Sequence, residues 1–206
     1  MKSPPVPTGK EMEHTYTNWD YDRLDIIYTP RCRLRPIHSS DAPSLLRMYS
    51  NPAVIRFTEH HLPMQSLEEA DDSIQFYRKG YAEGWMYRWG VTLIADNRDR
   101  VIGTVGLHRI NYDHFNSSIG YELDEPYWGQ GLSTEIVCAL TEYGFDTMEL
   151  HRLEAELIPQ NVASARVLQK NGYRYEATRH QRLKKHLTYF DIDVYGILYE
   201  EWKQLL

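Results

Sequence analysis

Apolar positions along this chain recur every three to four residues in some stretches and every second residue in others, the two periods that mark helix and strand. Cys32 to Ile37 reads as a short strand. Asp41 then offers a helix N-cap, and the helix it opens places Leu45, Leu46 and Tyr49 near one face before Asn51-Pro52 stops it. A second helix starts after Ser66, where Ser66-Leu67-Glu68-Glu69 has the form of a capping box. Ala70, Ile74, Tyr77 and Tyr81 keep the helical spacing until Gly80 and Gly84 end it.

The period then falls to two. Trp85 to Leu93, Arg100 to Leu107 and Ser118 to Leu123 each read as strands, with Asp96-Asn97-Arg98-Asp99 turning between the first two, so the three form an antiparallel meander. Ser133 to Phe145 returns to helical spacing, with Ile136, Val137, Leu140, Tyr143 and Gly144 on one stripe. Arg152 to Ile158 is a strand, Val162 to Lys170 a helix closed by Asn171-Gly172, and Tyr173 to Arg182 with Thr188 to Leu198 a final hairpin. This order predicts one mixed α/β domain over residues 26–206, preceded by a Pro-rich arm, 1–25, that lacks periodicity although Trp19 and Tyr21 suggest that part of it packs.

Composition narrows the classes. A chain of 206 residues suits one domain, and 42% apolar with 25% charged residues is ordinary for a packed one. A formal charge of −6 argues against a nucleic-acid partner and mildly for a cationic one. Only Cys32 and Cys138 occur, no stretch approaches the ~18 apolar residues of a membrane span, and no signal-peptide core is visible, so the expectation is a cytoplasmic protein without a membrane partner. The sequence leaves monomer and homodimer open. The nine histidines show no metal-ligand spacing; His60, His61 and His108 read as surface or loop residues, and no metal is expected.

The most informative stretch is Tyr127-Trp128-Gly129-Gln130-Gly131-Leu132-Ser133-Thr134-Glu135, which joins a strand to a helix through closely spaced glycines. Such a turn aims the free N–H groups of a helix's first turn at one point, where the helix dipole also favours negative charge; a pyrophosphate fits there. Two glycines alone also suit an ordinary tight turn. The stretch lacks the GxxxxGK[ST] of a P-loop, and GxGxxG would need a third glycine where Thr134 stands.

The same stretch resembles motif A of the GNAT acetyltransferases, in particular the RimJ/RimL type that acetylates ribosomal-protein N-termini. Further blocks match in the same order: Thr29-Pro30-Arg31-Cys32-Arg33-Leu34-Arg35-Pro36; Ile119-Gly120-Tyr121; and Arg152-Leu153-Glu154-Ala155 through Asn161, Ser164, Val167-Leu168, Lys170 and Gly172-Tyr173. The resemblance covers roughly residues 26–198. It implies a GNAT fold, with a largely antiparallel sheet splayed between the family's fourth and fifth strands and flanked by helices. It also implies acetyl-CoA as co-substrate and a primary amine as acceptor, whether a protein N-terminal α-amine or a small amine (polyamine, amino acid or aminoglycoside). A non-catalytic acyl-CoA sensor is the rival outside enzymes.

Residue by residue, the resemblance implies that Trp128, Gly129, Gln130, Gly131, Leu132, Ser133 and Thr134 form the pyrophosphate cradle. The strand edge near Tyr121 to Leu123 is implied to receive the pantetheine arm and thioester, faced by Asn161 and Ser164. Ser133 replaces the usual Gly or Ala. Gln130 stands where Lys or Arg is common, which leaves the diphosphate to backbone amides alone. Ser118 stands where this branch commonly carries an acid, so strand parity makes Glu122 the substitute base, with Glu154 and Glu156 on the next strand as alternatives. Ser164 is the candidate to assist the departing thiolate. Cys138 is expected to be a buried small hydrophobe rather than a nucleophile. Trp85, Tyr87 and Trp89 are expected to pack the sheet. The basic stretch Arg179 to His186 reads as a solvated hairpin, with a phosphate or substrate patch as the alternative.

Overall fold

The structure is a computed structural model, and it describes residues 19–58, 62–185 and 187–206. The expectations for the arm before residue 19 and for His60 and His61 fall outside the described residues.

One sheet of eight strands forms the body, in the order β1-β2-β3-β4-β5-β6-β8-β7. The strands are β1 (Ile27–Tyr28), β2 (Cys32–Arg35), β3 (Met86–Leu93), β4 (Val101–Asn111), β5 (Asn116–Leu123), β6 (Arg152–Leu157), β7 (Arg174–Lys185) and β8 (Thr188–Leu198). Every neighbouring pair is antiparallel except β5 and β6. The three-stranded meander lies where the alternation puts it, and β4 runs four residues beyond its predicted end at Leu107, carrying His108 within the sheet. The two-residue β1 was not legible as a strand, because Ile27 and Tyr28 are too short a run to show a period.

The helices are α1 (Ala42–Tyr49), α2 (Pro52–Ile55), α3 (Leu67–Ala82), α4 (Leu132–Glu142), α5 (Val162–Lys170) and α6 (Tyr199–Lys203). Asn51-Pro52 ends α1 and at once begins α2: Asn51 accepts from the Ala53 amide at 2.9 Å, and proline is tolerated in a helix's first turn. Gly80 does not end α3; it lies inside, where an added Cβ would stand 2.8 Å from Met86 Cβ, so it permits the close return of the chain into β3. At its far end α4 widens into a π turn, Tyr143–Thr147.

The sheet's two faces are covered by different helices. Thr104 and Glu122 share the face that meets Tyr49 of α1, whereas Leu107 and Leu153 lie on the other, against Gly144 beyond α4. Trp19, Tyr21 and Leu24 join the core: Trp19 packs on Tyr81 and Tyr87, and the buried Tyr21 hydroxyl donates to the Arg88 carbonyl. Tyr87 and Trp89 are buried as the alternation predicts, while Trp85 turns toward Phe76 of α3. Cys138 corrects its expectation. It is exposed, because it falls between the buried Val137 and Leu140 of the α4 stripe and points away from the sheet.

Candidate active site

The site begins where β5 and β6 part. They pair in parallel only at Asn116↔Arg152, Ser117↔Leu153 and Ser118↔Glu154, so from Ile119 onward β5 has β4 on one side and no strand on the other. The gap is the splay between the family's fourth and fifth strands, here β5 and β6. Backbone groups along such an edge are strong hydrogen-bonding groups in search of partners. The Leu123 carbonyl has one already, since the Trp128 indole donates to it at 2.7 Å; this bond fastens the loop to the strand's end.

On the α4 and α5 face, Gly129 and Gly131 both adopt positive φ, +72° and +78°, and Gly131 is the N-cap of α4. Among the described residues, no protein acceptor meets the amides of Gln130 to Thr134. They form the open N-terminal turn that the glycine spacing predicts. Arg31, before β2, donates to the Gln130 carbonyl at 2.9 Å and to Glu135 at 2.7 Å, placing a guanidinium beside the turn. Burial works against the Glu135 carboxylate, but hydrogen bonds from Thr29 and Arg31 outweigh it and hold its pKa below the usual range.

Also on this face, the Tyr121 hydroxyl lies 2.8 Å from Ser164 Oγ, which joins the freed edge of β5 to the first turn of α5. Asn161 caps α5 by accepting from the Ser164 amide at 3.2 Å, and Asn171 at the other end donates to the Thr134 carbonyl at 3.3 Å. Burial raises the Tyr121 pKa, so its hydroxyl keeps its proton.

Glu122 points to the opposite face. Its Oε2 pairs with Arg88 and accepts from Thr104 at 3.1 Å and Tyr49 at 3.4 Å; Oε1 has no partner among the described residues. Glu122 and Ser164 are therefore not neighbours but flank the splay from its two sides. Arg88 was not singled out from the sequence. It is an arginine in an otherwise apolar strand, and Gly106 and Gly120 on the paired strands leave room for it: a Cβ on Gly106 would stand 2.7 Å from Arg88 Cδ. His108 lies on the same face, its ring 3.2 Å from where a Gly120 Cβ would be, and it is neither a loop nor a surface residue. The two alternative bases are held elsewhere: Glu154 by Arg152 at 3.4 Å, and Glu156 by Arg109 at 3.1 Å and by Arg179.

The freed strand edge thus lies beside an amide turn, with the hydroxyls of Tyr121 and Ser164 on one face and the Glu122 carboxylate on the other. The acetyltransferase (GNAT) domain pattern matches residues 31–174. The chain belongs to the GNAT acetyltransferases. As an N-acetyltransferase it is 33% identical to the uncharacterized N-acetyltransferase YoaA of Bacillus subtilis, over 84% of this chain and 96% of that protein. It is also 27% identical to the ribosomal-protein-serine acetyltransferase of Escherichia coli, over 65% of this chain and 72% of the relative. RimJ of Mycobacterium smegmatis, solved with a CoA-disulfide, shares its fold at a TM-score of 0.78 and 20% identity, over 87% of this chain and 90% of that one. Among the described residues, no group of metal-binding side chains and no helix long and apolar enough to cross a membrane is found.

Proposed function

We propose that this enzyme transfers acetyl from acetyl-CoA to the α-amine of a peptide or protein N-terminus. The observation that carries the reading is the division of proton chemistry across the splay: Tyr121 and Ser164 on the face of the amide turn, Glu122 on the other. Bound acetyl-CoA supplies the thioester whose acetyl group the amine takes. The amides of Gln130 to Thr134, with Arg31 beside them, hold the diphosphate at the positive end of α4. Trp128 and Gly129 shape the entry to that turn, and Leu132, whose side chain is buried, anchors it. The edge around Tyr121 and Leu123 orients the arm, and Asn161 keeps Ser164 in place to donate to the departing thiolate. Oε1 of Glu122 takes the amine's proton, directly or through one water.

An α-amine suits this weakly assisted base. Its pKa of ~7.7–8.0 leaves it substantially neutral near physiological pH, whereas a lysine amine at ~10.4 stays charged. The name of the Escherichia coli relative supports the same acceptor class. Thiol release measured against peptides with different N-termini, polyamines, amino acids and aminoglycosides tests the reading, with mass spectrometry locating the acetyl group. Acetylation of peptide N-termini is the expected result. Product confined to lysine side chains or to a polyamine rejects it.

A further inference from the structure

A second side chain on the Glu122 face reaches the opening of the splay. β4 sets His108 opposite Ser118, and Ser118 is the last residue of β5 that pairs with β6. The His108 ring does not stop over its own strand. Its Cε1 and Nδ1 lie 3.2 Å and 3.6 Å from where a Gly120 Cβ would be, so the ring leans across β5 into the room that Gly120 leaves, two residues past the final rung. Arg88 Nη1 lies 3.5 Å from the same point, and this guanidinium, bonded also to Glu122, spans from the ring's place to the carboxylate.

Nothing in the fold holds the ring. Tyr49, Arg88, Thr104 and Glu122 beside it are bonded to one another, whereas neither ring nitrogen of His108 has a hydrogen-bond partner among the described residues. Nor are those nitrogens sealed in: the unpartnered side-chain atoms that the fold encloses there are Tyr81 Oη and the Nε atoms of Arg88 and Arg100. Burial, then Arg88 and Arg109, pushes the imidazole pKa down to about 4, so at neutral pH one nitrogen is a lone-pair acceptor. A neutral primary amine has a lone pair and two N–H groups. With the lone pair facing the thioester and one N–H facing Glu122, the other N–H needs an acceptor. A neutral imidazole supplies one; a second carboxylate would instead favour the ammonium form, which has no lone pair to attack with. Resting on the reading of the enzyme as an amine acetyltransferase with Glu122 as base, we propose that His108 contacts the substrate, its imidazole accepting a hydrogen bond from the acceptor amine and so turning the lone pair toward the thioester. The contact selects primary amines, because a secondary amine has a single N–H and cannot serve both His108 and Glu122.

The test pairs each acceptor with its N-methylated counterpart, made on a peptide, an amino acid and a polyamine so that it holds whichever class the enzyme takes. The wild type should turn over the primary amine with a kcat/KM about tenfold or more above that of the N-methyl amine, the worth of one good hydrogen bond. His108→Leu, which offers no acceptor, should lose about tenfold on the primary amine and nothing on the N-methyl amine, which never made the bond. A merely structural role would lower both alike. His108→Gln, with an amide oxygen to offer, should keep part of the preference, and CoA affinity should stay at the wild-type value in both variants. Imidazole nitrogen resonances of the CoA-bound protein read the contact without turnover: an added primary amine should move the pair that His108→Gln removes, and the N-methyl amine should move it less. That shift without acetylation of any amine would support the contact and count only against the proposed reaction. Equal turnover of primary and N-methyl amines by the wild type, equal losses on both in His108→Leu, or a resonance pair that no amine moves overturns the inference.

Discussion

The two sides of the splay are made in different ways. On the α4 and α5 side, most of the polar groups come from short consecutive runs: amides from Gln130 to Thr134, and Asn161 with Ser164 one turn apart. On the other side the groups come from four separate elements: Tyr49 from α1, Arg88 from β3, Thr104 and His108 from β4, and Glu122 from β5. A run of backbone is positioned by local chain geometry and tolerates many side chains. A cluster gathered from four elements depends on register, and a one-residue slip in any strand would turn its member to the opposite face. The first side suits a co-substrate common to a whole family, and the second suits an acceptor that differs among its members.

The contrast is most exposed at Gly131. Its φ of +78° is a left-handed conformation that a β-branched residue adopts only under strain, of about 1–2 kcal/mol. An added Cβ would itself stand at an ordinary 3.5 Å from Arg31, so crowding by the protein is not the problem; relaxing the strain re-aims the amides. Gly131→Val should lower CoA affinity by ~100-fold or more, each lost charge-assisted bond being worth about 1.5–3 kcal/mol. Thermal unfolding should show a folded protein. Calorimetry giving wild-type affinity would remove the amide turn from the cofactor site.

Glu122→Gln probes the other side. It keeps a neutral acceptor for Arg88 and removes the base, so kcat/KM at neutral pH should fall by roughly 100-fold while CoA affinity stays put. The deficit should shrink as pH rises toward the acceptor's pKa, where less of the amine needs deprotonating. A pH-rate profile that overlays the wild type in height and shape would take Glu122 out of the mechanism, and with it the assignment of the two faces to different protons.

This difference also decides how much could be read without coordinates. The amide turn was legible because its glycines lie two residues apart in the chain and their conformational demand is local, and the splay followed from the family resemblance. Arg31 was missed as a neighbour of that turn because it lies about a hundred residues away, and only the sheet brings it to Glu135. Arg88 carried a signal, a charge inside the run Tyr87-Arg88-Trp89, but its partner could not be deduced before the pairing Arg88↔Gly106 and Thr104↔Glu122 was known. The hairpin of Arg179 to Lys185 looked uniformly basic. Its two roles, pairing Glu156 and tying down the α2 end, separate only where a bulge between Arg179 and Leu183 re-aims consecutive side chains.

His108 offers a smaller and purely energetic test of the Glu122 face. Burial, then Arg88 and Arg109, lowers its pKa from 6.5 to about 4. The folded imidazole holds a proton less tightly than the unfolded one, so its contribution is complete above about pH 6.5 and is lost progressively as pH falls toward 4. At pH 5 the wild type should therefore lose about 1–2 kcal/mol that His108→Gln does not. Denaturant unfolding at pH 7.5 and 5.0 measures the difference; parallel losses in both proteins would show that the ring titrates normally and is not enclosed beside Arg88.

Ser164→Ala should have the mildest effect, and its form matters more than its size. The hydroxyl lies 2.8 Å from Tyr121 and within the first turn of α5, where its amide, not its side chain, is held by Asn161. Removing it therefore leaves the cap intact and takes away one donor to a developing thiolate, roughly a tenfold loss in kcat. The Tyr121 hydroxyl stays protonated and close to the same position, so it limits the loss and makes the pair redundant. The double variant with Tyr121→Phe should then lose far more than the product of the two single losses. The proposed mechanism has these groups act on the leaving sulfur and not on the amine, so the Ser164→Ala deficit should stay constant across pH, unlike that of Glu122→Gln. An acceptor-independent, pH-independent loss would keep the two faces separate. A Ser164→Ala deficit that shrinks with rising pH in step with Glu122→Gln would mean that both residues serve one proton path through the splay.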